Sequence, residues 1–156
     1  MPPATVVQIN VSNGGVPKTA IPEARVDFLG IDGDAHNDRV NHGGPDRALC
    51  LFSAEVIDQL RSEGHPLVPG GAGENLTVRG LDWSTVRPGA RFAAGDVELE
   101  ITAFTSPCKN IAGCFLDGDF GRISVKTHPL ESRVYARVVK PGVISQGAKV
   151  VGRGQA

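Results

Sequence analysis

No apolar pattern in this 156-residue chain runs far before a glycine or proline interrupts it, and 20 Gly and 11 Pro supply the interruptions. Glycine and proline are unfavourable inside helices and favourable in turns, so short apolar runs between them read as strands joined by tight connections. A chain of this length buries about 70% of its unfolded surface as one domain and needs no staples. The expectation is a single, mainly β domain over residues 5–152, with 1–4 and 153–156 as short tails.

The runs can be placed in order. Thr5 to Ser12 alternates, with Val7, Ile9 and Val11 on one face and Val6, Gln8 and Asn10 on the other, as in a half-buried strand. Arg25 to Leu29 reads as a second strand entering a turn at Gly30 to Asp34. Ala48 to Phe52 is a continuous apolar run, short enough for a buried strand in which Cys50 packs. Ser53 then suits an N-cap and Glu55 the positive end of a helix. Val56 and Leu60 share a face, and Gly64 stops the helix short of three turns. Asn75 to Val78 resumes extended structure after a loop containing Pro66, Pro69 and Gly70 to Gly73. Arg91 to Ala93 and Val97 to Phe104 flank Ala94-Gly95-Asp96 as a hairpin. Asp117 to His128 is a polar loop. Arg133 to Lys140 sets Val134, Ala136 and Val138 against Tyr135, Arg137 and Val139. Val143 to Ser145 and Ala148 to Val151 form a last hairpin. Roughly six to eight strands with one clear helix favour a closed or nearly closed β-barrel with one or a few short helices over a parallel sheet, whose crossovers need long helices.

Composition excludes several classes. The formal net charge is −1 and the 16 Lys and Arg are dispersed, so no basic stripe for nucleic acid is expected. No apolar run approaches the ~18–20 residues of a membrane span, and Met1-Pro2-Pro3-Ala4 lacks the basic start and apolar stretch of a signal peptide. A cytoplasmic protein without membrane partners is expected. Three cysteines, an odd number with no CxxC motif, suit a reducing compartment and individual thiol roles.

Chemistry-bearing residues gather in three glycine-punctuated clusters, expected to be loops converging at one end of the scaffold. They are Gly33 to Arg47, Gly73 to Thr77, and Ser106 to Lys109. Cys108 leaves a strand through Pro107, and the charge of Lys109 would favour its thiolate, a nucleophile, persulfide carrier or soft metal ligand. A structural cysteine is the plainer alternative. Cys114 is placed to be a resolving thiol or a packing residue. Arg47 and Lys109, with the amides of Gly43 and Gly44, suit a phosphate or other anion. Glu74 and Asn75 either hydrogen-bond a heterocyclic ligand or tie the glycine loop down. His36 and His42, among Asp32, Asp34, Asp38 and Asp46, contain the residue types of a metal site without its spacing. They otherwise read as a turn with satisfied histidines. No Walker, NAD, haem or iron–sulfur pattern is present.

Taken in order, Gly33-Asp34, His42-Gly43-Gly44-Pro45-Asp46-Arg47-Ala48, Ser53-Ala54-Glu55, Pro69-Gly70, the block Gly73 to Leu81 and Pro107-Cys108 resemble the MOSC family, named for the C-terminal domain of molybdenum-cofactor sulfurases. The likeness runs from about Gln8 to Val151. It implies a MOSC-type β-barrel in which Cys108 carries sulfur (as persulfide) or ligates molybdenum, and basic residues hold the phosphate of the molybdopterin cofactor. His42, Asp46, Arg47, Glu74 and Asn75 would line that pocket. The implied activity is sulfur transfer, or molybdenum-dependent reduction of N-hydroxylated substrates with electrons from a separate reductase. A non-catalytic cofactor or sulfur carrier is the alternative, and a divalent-metal hydrolase using His36, His42 and Asp46 a third. Departures are that Lys109 stands where arginine is common, and that the C-terminal helical extension and N-terminal β-barrel of longer relatives are not found in these residues.

Overall fold

The computed structural model describes residues 3–12, 18–34 and 44–153. In chain order these form β1 (Ala4–Val11), β2 (Thr19–Ile21), β3 (Glu23–Asp27), β4 (Gly30–Ile31), β5 (Leu49–Ser53), α1 (Ala54–Ser62), β6 (Leu76–Arg79), β7 (Arg91–Ala94), β8 (Val97–Phe104), β9 (Val134–Lys140), β10 (Gly142–Ser145) and β11 (Lys149–Arg153). Seven strands close into a barrel in the order β11-β7-β8-β9-β5-β6-β1, with β1 pairing back onto β11 and β2 attached outside β1. A separate small sheet has the order β10-β3-β4. The fold is therefore the mainly β, closed barrel with one α-helix that the sequence pattern predicts.

Every barrel pairing is antiparallel except β5 with β6, which run parallel, Leu51 opposite Leu76 and Ser53 opposite Val78. Parallel neighbours require a crossover, and α1 lies in it. Ser53 caps α1, its hydroxyl accepting from the Val56 amide at 3.2 Å. Gly64, at φ 98°, follows the helix in a conformation that side-chain-bearing residues rarely adopt.

Strand alternation divides the apolar residues into two clusters. Val6, Ile9, Leu49, Leu51, Leu76, Val78, Leu99, Ile101, Val134 and Ala136 fill the barrel. Phe52, on the opposite face of β5 from Leu49 and Leu51, joins Val56, Ile57, Leu60, Leu67, Ala72, Ile111, Phe115 and Ile123 in a second cluster outside it.

Four expectations change. A β-bulge between Val6 and Gln8 shifts the phase of β1, so Val6 and Ile9 face the core together where strict alternation separates them. The second strand ends at Asp27, and Phe28 and Leu29 sit exposed at the following turn. The last two strands do not pair as a hairpin: β10 pairs with β3, where Ile144 meets Ala24, while β11 pairs with β7 and β1. The 109–123 segment, part of it read as loop, winds into 3₁₀ turns at Lys109–Cys114, Leu116–Gly118 and Phe120–Ile123.

Leu60 is fully buried in the outer cluster. Leu60→Ala should cost about 2–5 kcal/mol in urea unfolding, and a loss well under this would show that α1 is not packed as described.

Candidate functional site

The described parts of the polar clusters include residues set against the outer face of β5 and β9. Leu49 and Leu51 point inward, as do Val134 and Ala136, so Cys50 and Tyr135, opposite each other in the register, point outward. The loop from α1 to β6 and the segment carrying Cys108 cover this face.

The covering loop is bound by hydrogen bonds that satisfy its backbone. Glu74 is fully buried, and its Oε2 accepts from the Gly70 amide at 3.0 Å and the Thr77 hydroxyl at 2.9 Å. Gly70 has φ 84°, and a Cβ there would lie 2.6 Å from the Lys18 carbonyl oxygen, so only glycine fits. The Cys114 thiol donates to the Gly71 carbonyl at 3.0 Å. Arg133, 5% exposed, donates from Nη1 to the Ala72 carbonyl at 2.7 Å and from Nη2 to the Ser106 carbonyl at 3.3 Å.

Asn75 joins three elements. Its Oδ1 accepts from the Cys50 amide at 2.9 Å, and its Nδ2 donates to the Asn10 carbonyl at 3.3 Å and to Asp34 Oδ2 at 2.8 Å. Asp34 also pairs with Lys18 at 2.7 Å and accepts from the Ser12 amide at 2.9 Å, so this buried carboxylate is neutralised and hydrogen-bonded. Glu74 ties the glycine loop down through the Gly70 amide, while the Asn75 side chain joins the loop's end to β5, β1 and Asp34.

Cys108 precedes the 3₁₀ turn Lys109–Cys114 and is half-buried, with Ser106, Lys109 and Asn110 exposed around it. The Arg47 guanidinium lies 5.1 Å from the centre of the Tyr135 ring, a cation–π contact that holds a positive charge over this face. Burial pushes the Tyr135 phenol up to about 12, with Cys50 and Cys108 adding to the rise and Arg133 and Arg47 opposing it. Arg47, Tyr135, Cys50, Cys108 and Arg133 thus share one electrostatic neighbourhood. Asp46 lies just before Arg47, its carbonyl accepting from the Thr102 hydroxyl. Gly44 precedes the 3₁₀ turn Pro45–Arg47 at φ 81°.

The other two cysteines have raised thiol pKa values. Burial raises the Cys50 thiol pKa, against the opposing pull of Arg133 and a contact with Thr105. Burial and then Glu74 raise that of Cys114. Protonated thiols are poor nucleophiles. Of the two roles weighed for Cys114, packing is the one its hydrogen bond to the Gly71 carbonyl displays.

His36, Asp38, His42 and Gly43 lie outside the described residues. No group of three or more His, Cys, Asp or Glu suited to a metal occurs among the described residues. A cleft of about 630 Å³ lined by Leu81, Arg87, Arg91, Phe92 and Arg153 contains none of the candidate residues. Lys18, Thr105, Arg133 and Tyr135 were missed by sequence reasoning. The available signal was Tyr135 falling on the face of its strand opposite Val134, Ala136 and Val138.

Together these features define a closed β-barrel whose outer face holds a half-buried cysteine, a fixed arginine and a clamped glycine loop. The MOSC domain profile matches residues 38–151, and the chain belongs to that family. It is 32% identical over 142 residues to the uncharacterized protein YflK of Bacillus subtilis, covering 85% of this chain and 58% of YflK. It is 31% identical over 124 residues to YiiM of Escherichia coli, covering 77% of this chain and 54% of YiiM. The chain thus spans little more than half the length of these relatives. The crystal structure of YiiM from Geobacillus stearothermophilus superposes with a TM-score of 0.79 at 26% identity, covering 97% of this chain and 76% of that one. No helix among the described residues is long and apolar enough to cross a membrane.

Two outcomes follow. Asn75→Ala leaves the buried Cys50 amide without its acceptor and should cost about 1–3 kcal/mol in denaturant unfolding. Burial raises the Glu74 carboxyl above its ordinary value. The folded state therefore binds that proton more tightly than the unfolded chain, and the associated stability is fully present below the unfolded carboxylate value and is lost as pH rises from there through the raised folded value. Glu74→Gln should gain in Tm relative to wild type as pH rises above the ordinary carboxylate value, and parallel Tm curves would show that this carboxyl is not linked to folding.

Proposed function

We propose that the protein binds a molybdenum–pterin cofactor, or a related sulfur-bearing species, through Cys108. It acts in sulfur transfer, or in reduction of N-hydroxylated substrates with electrons from a separate reductase. The observation that carries this reading is the half-buried Cys108 at a strand exit in a MOSC barrel, in the same neighbourhood as an arginine held over Tyr135.

The donor set fits the group. A thiolate is the soft ligand that oxidised molybdenum accepts, and Arg47 and Lys109 are the cations a phosphate requires. When bound, the cofactor would supply a two-electron redox centre that the protein's own side chains lack. Cys108 would hold its metal end and Arg47 and Lys109 its phosphate. In the sulfur-transfer branch, the Cys108 thiolate attacks the outer sulfur of a donor persulfide and the donor thiolate leaves. Cys108 is left as the persulfide with no net change in oxidation level.

Exposure of Ser106, Lys109 and Asn110 favours a second reading, a carrier that hands cofactor or sulfur to a docked protein without turnover. Protein produced with cofactor synthesis intact should contain molybdenum or cyanide-labile sulfur, and Cys108→Ala should lose it. Finding neither in wild type, or no loss in the variant, rejects binding through Cys108. Reduction of a hydroxylamine-type compound with a supplied reductant then separates enzyme from carrier.

A further inference from the structure

Among the described residues Arg133 is the one buried arginine, and both of its terminal nitrogens donate to backbone carbonyls. One carbonyl, Ala72, is in the loop between α1 and β6. The other, Ser106, lies two residues before Cys108. The Thr105 amide donates back to the Arg133 carbonyl at 2.9 Å, fixing the same strand exit from its other side. The loop is held a second time by Cys114, whose thiol donates to the Gly71 carbonyl at 3.0 Å. The strand exit, the glycine loop and the far end of the 3₁₀ turn therefore form a closed circuit of contacts, with Arg133 at its centre.

A buried guanidinium is costly to desolvate, and a lysine would make a weaker version of these contacts because a single ammonium lacks the planar fork that reaches two carbonyls at once. The two carbonyl contacts offset part of that cost.

We infer that Arg133 is a positioning residue for Cys108: it clamps the glycine loop to the strand exit and so sets how far the Cys108 thiol is open to reagents and substrates. This rests on reading Cys108 as the reacting thiol, but its test uses the reactivity of that thiol without cofactor, so it stands or falls separately from cofactor binding.

The experiment is site-resolved alkylation of the full chain by iodoacetamide, followed by peptide mass spectrometry across a pH series, for wild type, Arg133→Met and Arg133→Lys. Losing two charged hydrogen bonds to the cover should raise the alkylation rates of Cys108 and Cys114 roughly tenfold in Arg133→Met. Cys50, on the sheet itself and packed against Thr105, should rise by a much smaller factor, and the rise for Cys108 should appear in the limiting rate at high pH. Arg133→Lys should restore part of the protection, and it carries the test alone if the Met variant does not fold. Three outcomes overturn the inference: rates for Cys108 and Cys114 within twofold of wild type in the folded variants, all three cysteines rising by one factor, or a shifted midpoint with an unchanged limiting rate.

Discussion

Two parallel neighbours cannot be joined by a tight turn, so the chain leaving β5 must travel back along the barrel before it can enter β6. It returns as α1 and a glycine-rich loop laid over the outside of the sheet. The backbone of that return segment is covered, and covered amides and carbonyls need partners. Glu74 supplies the acceptor for Gly70, Arg133 the donor for Ala72 and Cys114 the donor for Gly71. The buried carboxyl and guanidinium are thus consequences of the topology. Two of their atoms, Glu74 Oε1 and Arg133 Nε, are the buried side-chain atoms among the described residues with no hydrogen-bond partner.

Elements whose signals are local were legible in the sequence. The Ser53 cap and the β7–β8 hairpin with Gly95 at its turn depend on adjacent residues, and both formed as expected. What failed depended on distant partners. Val143 to Ser145 looks like half of a hairpin, but its apolar Ile144 finds Ala24 in β3, far away in sequence. Phe28 and Leu29 extend an apolar run past the end of β3 because nothing local marks a turn whose hydrophobic residues remain exposed. The bulge in β1 leaves no trace in an alternating pattern.

For the site, Cys108 at a strand exit and Arg47 beside the same face could be located from their loops. The charged residues that hold those loops could not. Strand alternation separated Tyr135 and Arg137 from Val134, Ala136 and Val138, but it does not say what covers the outward face. Tyr135 is 7% exposed because the Arg47 segment covers it. Lys18 sat in an unassigned proline-flanked stretch, and its pairing with Asp34 required knowing that both would be enclosed.

The short 3₁₀ turn between Cys108 and Cys114 has a chemical consequence. Cys114, at its far end, is occupied as a donor to the Gly71 carbonyl. Oxidising or alkylating Cys114 therefore removes a donor from the glycine loop as well as a thiol, so the chemistry of that sulfur and the bonding of the loop backbone are one event.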